Sequence, residues 1–364
     1  MKKNDKYWIA FASIEIIGSK FIQTLFEYFG DIEKAWNVSR SDMLLLGRAL
    51  QNNADEFLSQ RDKTSPDECL DYILKNNINY ITFEDENYPY LLKQISNPPM
   101  VLFYKGNLED CNFDRTLAVV GSRRASDSAK QNLRNILLGF KGTDITIVSG
   151  MAEGIDTVAH RSAIDAGVST IAVLGGGFNN IFPKSNMKLF NEIISGNGVV
   201  MSEYWPDFQP MPFRFPVRNR IVSGLSKGTL VAEAALKSGA LITANLTLEQ
   251  NRELMCMPGA ISNPNTEGVF KLLKQGAAIV TNTEDILNAL SWKINLTSEK
   301  EQQQIDLSDN EAKVLSEIKL NPLSFDELIL KTNLNINDLM IILTQLEIKG
   351  LIKQADGNKY ISVR

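Results

Sequence analysis

Thr116-Leu117-Ala118-Val119-Val120-Gly121-Ser122-Arg123-Arg124-Ala125-Ser126 passes from an unbroken apolar run through a glycine into a helical pattern, Ser126–Phe140. The alternation recurs downstream. Ile145–Ser149 precedes the helical run Asp156–Ala166, and Thr170–Leu174 precedes Lys184–Ser195. Further strand-like runs stand at Val199–Ser202, Thr229–Ala232, Glu253–Met257 and Ala278–Val280. Short apolar strands alternating with helices imply an α/β fold, a parallel sheet covered by helices on both faces. In such sheets ligands sit beyond the carboxyl ends of the strands.

The flanking segments have a different texture. Residues 1–62 read as helical, with apolar periodicity around Trp8–Ile14, Phe21–Phe29, Ile32–Trp36 and Met43–Leu46 broken at Gly18-Ser19, Gly30-Asp31 and Gly47. Helices joined by Ile16-Ile17-Gly18-Ser19-Lys20 suit a helix-hairpin-helix or SAM-like module, or any small bundle. The α/β core is expected over 63–294, followed by a polar linker, Asn295–Asp306. In 306–364, helices at Asp309–Lys319, from Ser324 (with Glu327 completing a capping box) and at Asn335–Lys349 precede strands flanking an Asp356-Gly357 turn. Three helices plus a hairpin make a winged helix. Its third helix, the usual reader of DNA, carries Asp338 and Glu347 against Lys349 and is otherwise largely apolar. A protein-contact or regulatory role is expected of it.

Composition narrows the chemistry. The 364 residues are 44% hydrophobic and 22% charged, ordinary values for a soluble protein of two or three domains. Lys2, Lys3 and Lys6 before Trp8–Ser13 faintly mimic a signal peptide, but Glu15 ends that run and no stretch nears ~18 apolar residues. A cytoplasmic protein with no membrane partner is expected. Cys69, Cys111 and Cys256 are far apart and in no metal spacing, so they read as free thiols in a reducing compartment. His160 is the only histidine. It reads as a core or capping imidazole, and Asp156 as a helix cap. No metal or cofactor is expected.

The strand ends carry the functional signal. Gly121 allows close backbone approach, the amides beyond it open a helix and form an anion site, and Arg123 adds a bidentate phosphate grip. Neither Gly-x-Gly-x-x-Gly nor Gly-x-x-x-x-Gly-Lys-Ser/Thr occurs, which argues against dinucleotide binding and ATP-driven motors. Net charge is −5, yet Phe208–Ala232 holds no Asp or Glu while Arg214, Arg218, Arg220 and Lys227 are cationic. Each phenylalanine alone suits core packing. Phe182, Phe213 and Phe215 interleaved with cations also suit an anionic polymer whose bases stack on rings.

Val119–Arg123, Ser149–His160, Phe215–Ser226, Ser238–Ala244 and Met257-Pro258-Gly259 together resemble the DNA-processing protein A (DprA/Smf) family over roughly Pro98–Leu290. The resemblance implies a Rossmann-like core binding single-stranded DNA without sequence preference, homodimerisation, and delivery of a RecA-type recombinase onto incoming strands in natural transformation. By position it implies that Gly121, Ser122 and Arg123 bind phosphates, with Lys184, Arg218 and Arg220 extending the track. With Phe182, Phe215 and Asn219 these make up the expected DNA site, and no enzymatic activity is expected. Lys227-Gly228-Thr229-Leu230-Val231-Ala232-Glu233 also echoes the motif of related nucleotide-cleaving enzymes. The second reading is therefore a small-nucleotide hydrolase or sensor with Glu233 as its acid.

Overall fold

The computed structural model describes residues 4–46, 48–294 and 307–362, apart from positions 321, 333, 350 and 356–358. The expected linker Asn295–Asp306 and the Asp356-Gly357 turn lie outside the described residues. The chain divides into two compact units, Met1–Leu296 and Thr297–Arg364.

The first unit is built on nine strands: β1 (Asn79–Thr82), β2 (Val101–Gly106), β3 (Thr116–Val120), β4 (Thr146–Ser149), β5 (Ser169–Val173), β6 (Gly198–Ser202), β7 (Gly228–Val231), β8 (Glu253–Cys256) and β9 (Ala278–Ile279). Their order is β1-β2-β6-β5-β4-β3-β7-β8-β9. From β6 to β9 every pairing is parallel, as the alternation requires. The sheet is not parallel throughout: β1 and β2 join antiparallel at the β6 edge. These two follow one another without a crossover helix long enough to signal a parallel unit, so strand-helix alternation does not reveal them.

Eight helices fill the core connections: α7 (Tyr90–Lys93), α8 (Asp127–Leu138), α9 (Ile155–Ala166), α10 (Met187–Ser195), α11 (Arg214–Gly224), α12 (Gly239–Glu249), α13 (Glu267–Lys274) and α14 (Thr283–Ala289). All five residues of β3 are buried. Leu117 and Val119 face α8 and α9 through Leu133, Ile136 and Ala159, while Ala118 and Val120 face α11 and α12 through Ile221, Val222 and Ala244. That period-2 division of one apolar strand between two helical layers is what makes its sequence continuously hydrophobic.

The helical region comprises α1 (Asp5–Ala12), α2 (Ser19–Phe29), α3 (Ile32–Trp36), α4 (Arg40–Leu45), α5 (Arg48–Arg61) and α6 (Pro66–Lys75). It runs past the expected limit at 62. Ser65 caps α6 by accepting from the Glu68 amide at 3.3 Å, with Pro66 at the first helical position. Trp8, Phe11, Leu25 and Phe57 share one core with Phe190 of α10 and with Val101, Phe103 and Val200 of the sheet. The helices are therefore an extension of the sheet's packing and not a separately folded bead.

The second unit carries α15 (Asp309–Leu320), α16 (Phe325–Thr332) and α17 (Ile336–Ile348) with β10 (Leu323–Ser324), β11 (Ile352–Ala355) and β12 (Lys359–Ser362) in the order β10-β12-β11. Val314, Leu328, Leu339, Leu343 and Leu346 form its core. This is the expected winged helix. Among the described residues, no helix is long and apolar enough to cross a membrane.

Candidate nucleic-acid interface

The connections β3-α8-β4-α9-β5-α10-β6 step along the sheet in one direction, and α11 then crosses back to place β7 beside β3. Where the direction reverses, the loops after β3 and β7 diverge and leave a crevice. A groove of about 770 Å3 lies there, walled by Ser122, Arg123, Arg124, Phe182, Phe215, Arg218, Asn219, Lys237, Ser238 and Asn265. An adjoining pocket of about 270 Å3 brings in Lys184, Ser185 and Glu153. Helices α8 and α12 start at this edge, capped by Ser126 and Ser238, so their positive dipole ends face the crevice. Five cations (Arg123, Arg124, Lys184, Arg218, Lys237) against two carboxylates (Asp156, Glu153) line the two cavities. In a chain of net charge −5, that concentration selects an anionic ligand.

The expected site residues fall into four groups. Arg123, Lys184 and Phe182 stand exposed at the groove, Phe182 at 49%. Phe182 and Phe215 lie with ring centroids 5.7 Å apart, and the Arg123 guanidinium carbon is 5.5 Å from the Phe215 centroid. Asn219 is half-buried in the wall, its side chain joined to Arg218. These form one continuous surface.

Gly121 and Ser122 also border the groove, but the loop is not an open amide cradle. Ser122 N–H donates to the Glu233 carbonyl at 2.7 Å, Arg124 N–H to Ser122 Oγ at 3.1 Å and Ser126 N–H to Glu233 Oε1 at 3.1 Å. With three amides so engaged, the loop meets a ligand mainly through side chains. Gly121 answers to packing: a Cβ there would lie 2.5 Å from the Ile155 side chain. Gly154, at φ +80°, is required by conformation and by the Ser122 carbonyl, 2.3 Å from any Cβ.

Arg218 is buried at the floor of the groove, donating to the carbonyls of Gly150 (2.6 Å) and Val173. Burial pushes its pKa down to about 10, against the pull of Asp156. Asp156 accepts from the amides of Gly150 (3.1 Å) and Ala152 (3.2 Å), and burial raises its pKa while Arg218 opposes the rise. It thus ties down the preceding loop and does not cap α9, whose N-cap is Gly154.

Arg220 does not join the groove. Its guanidinium makes a two-pronged pair with Glu203 at 2.7 and 2.6 Å and donates to the Asn97 carbonyl at 2.8 Å. Arg214 is buried as well, bonded to Glu15 at 2.6 Å and flanked by the rings of Tyr204, Phe208 and Phe213. Lys227 precedes β7, at the opposite end of the sheet from the groove. The acid-free stretch is therefore not a solvated basic face, because each arginine has been given an internal partner.

His160 is fully buried and Thr170, whose hydroxyl donates to the Ile147 carbonyl at 2.9 Å, lies 2.7 Å from Nδ1. With the hydroxyl proton so used, Nδ1–H is the donor. Burial, reinforced by Arg218, lowers the pKa to about 3, so the ring stays neutral. This is the expected core imidazole.

A family model described as DNA recombination-mediator protein A matches residues 79–291, which covers the sheet and the groove. The chain belongs to that family. A second model, the DprA winged helix domain, matches residues 298–358. Protein Smf of a Synechocystis species is 30% identical over 97% of this chain and 98% of its own. DNA processing protein DprA of Streptococcus pneumoniae is 42% identical over 56% of this chain and 71% of its own. The X-ray structure of the S. pneumoniae protein superposes with a TM-score of 0.68 at 32% identity, covering 79% of this chain and 98% of that one. A structure of Helicobacter pylori DprA, described for its single-stranded DNA binding mode, gives 0.52 at 30% identity over 58% of this chain and 96% of that one. The DprA/Smf resemblance read from the motifs is borne out.

Sequence reasoning missed Arg124 and Lys237 as groove cations and Asn265 as a wall residue. Lys237 carried a signal, since it directly precedes the Ser238-Gly239 helix start at a strand's carboxyl end. Nothing in the sequence aligned Arg124 with it.

Proposed function

We propose that this DNA recombination-mediator family member binds single-stranded DNA without sequence preference, protects incoming strands and loads a RecA-type recombinase in natural transformation. It acts as a homodimer in the cytoplasm. The observation that carries the reading is the groove itself: exposed cations alternate with Phe182 and Phe215, which are accessible to stacking. Cations meet phosphates of any sequence, and a ring stacks on any base, but only where the base is not already stacked in a duplex. The single-stranded DNA binding of the H. pylori relative supports the ligand class, and the family's description as a recombination mediator supports hand-over to a recombinase. The two-residue edge strand β9, with Ile279 60% exposed, offers an apolar border suited to a second copy.

We further propose that the protein is not an enzyme. In the competing nucleotide-hydrolase reading, Glu233 would be the acid. Its carboxylate is 1% exposed, accepts hydrogen bonds from Ser126 and Asn263, and is not among the groove's walls. The test is a titration of single-stranded and duplex oligonucleotides of equal length at several salt concentrations. Single strands should bind much more tightly, with a salt-dependent constant. Equal affinity for duplex, or nucleotide turnover lost in Glu233→Gln, would overturn the reading.

A further inference from the structure

Glu233 holds the β3-α8 loop at both of its ends. Its carbonyl accepts from Ser122 N–H at 2.7 Å, while its carboxylate accepts from Ser126 N–H at 3.1 Å and Ser126 Oγ–H at 2.6 Å. Only Arg123, Arg124 and Ala125 lie between the clamps. Ala125 is buried against the α8–α9 core, so the loop has one anchored side, and both arginines emerge on the other, into the groove. A second strap comes from the loop after β8. Asn263 Nδ2–H donates to Glu233 Oε2 at 3.1 Å, and Asn265 Nδ2–H reaches the Arg124 carbonyl at 3.4 Å. Glu233 is thus the joint of two loops that approach the crevice from neighbouring strands. Holding a short loop at both ends removes the ordering cost that its arginines would otherwise meet on binding.

The geometry points to Glu233 as a positioning residue that presets Arg123 and Arg124 for phosphate, in place of the acid role its motif suggests. The inference rests on the single-strand reading of the groove. It is tested in the full chain with Glu233→Ala and Glu233→Gln. The measurements are the affinity for a single-stranded oligonucleotide across salt and the amide exchange of residues 121–126 without DNA. Glu233→Ala should bind at least tenfold more weakly, with a salt slope shallower by about 0.7–1.4, the value of one or two phosphate contacts on single strands. Its loop amides should exchange faster while those of β4 and β5 keep their protection. Glu233→Gln retains an oxygen for Ser126 and should stay within threefold of the parent chain in affinity. Should Glu233→Ala not fold, Asn263→Ala is read in its place, with a threefold loss expected.

Unchanged loop exchange in the alanine variant overturns the clamp. So does a glutamine variant as weak as the alanine one. Failure of the parent chain to prefer single strands would instead sink the function reading, and the exchange data would still decide whether Glu233 holds the loop.

Discussion

The Arg123 guanidinium carbon sits 5.5 Å from the centre of the Phe215 ring, so a cation and a stacking face occupy the same point of the groove. A nucleotide presents its phosphate and its base within a similar span, and the pair can engage one of each. Arg220, although also on α11, is turned to Glu203 on the far side.

Arg123→Ala should therefore weaken single-strand binding by roughly 1.5–3 kcal/mol, the scale of a hydrogen bond to a charged group, with unfolding midpoints unchanged. Fluorescence anisotropy alongside a urea melt checks both halves. A variant that melts early but binds normally would place Arg123 in the structure and not in the site.

Arg220→Ala should do the reverse. Removing it leaves Glu203 buried without its partner, a loss of about 3–5 kcal/mol of stability, while the folded protein should bind DNA within about threefold of the parent chain. If its loss cuts affinity tenfold in protein of normal stability, then α11 turns in solution to present Arg220 to the strand.

Arg124 and Lys237 give a count. With Arg123 and Lys184 they make four exposed groove cations, so the slope of log K against log salt should be about −3, from ~0.7 per contact. Lys237→Ala should reduce its magnitude by about 0.7, uniformly across oligonucleotide sequences. A slope untouched by this change would put Lys237 off the track.

His160 sets a pH dependence. Its folded pKa of about 3 lies below the ~6.5 of an unfolded histidine. The unfolded chain therefore binds the proton first, so stability is full above about pH 6.5 and declines as pH falls from there towards 3. As the only histidine, it should account for the slope between pH 6.5 and 5. Asp156, raised by burial, has the opposite sign and works against it. Urea unfolding at pH 7.5, 6 and 5 should show the decline in the parent chain and its absence in His160→Gln.

Deleting residues 306–364 should leave single-strand affinity within about threefold, less than ~0.7 kcal/mol. On α17 the exposed positions include Ile336, Asp338, Met340 and Ile341, which offer apolar surface and a carboxylate where phosphates would need cations. A tenfold loss in folded protein would show that the winged helix grips DNA.

The parallel core is legible in the order of residues alone. Every residue of β3 is buried and all but Thr116 are apolar because two helical layers cover both of its faces, and such a pattern has few other solutions. Residue order likewise places His160 in the core and the strand-end loop at Gly121 beside the ligand site. The cations are another matter. Arg218 and Arg220 are neighbours in sequence, but two residues on a helix turn through about 200°, so one faces the groove floor and the other Glu203. Spacing alone could separate them; it could not name Glu203, which lies beyond β6. Conversely, Arg124 and Lys237 follow strands far apart in the chain, and they meet only because the crossover through α11 lays β7 beside β3. Local residue chemistry fixes which segments become strands and helices. Which charge is neutralised inside and which is left facing a ligand depends on non-local pairing, because a cation's partner is chosen by proximity in space.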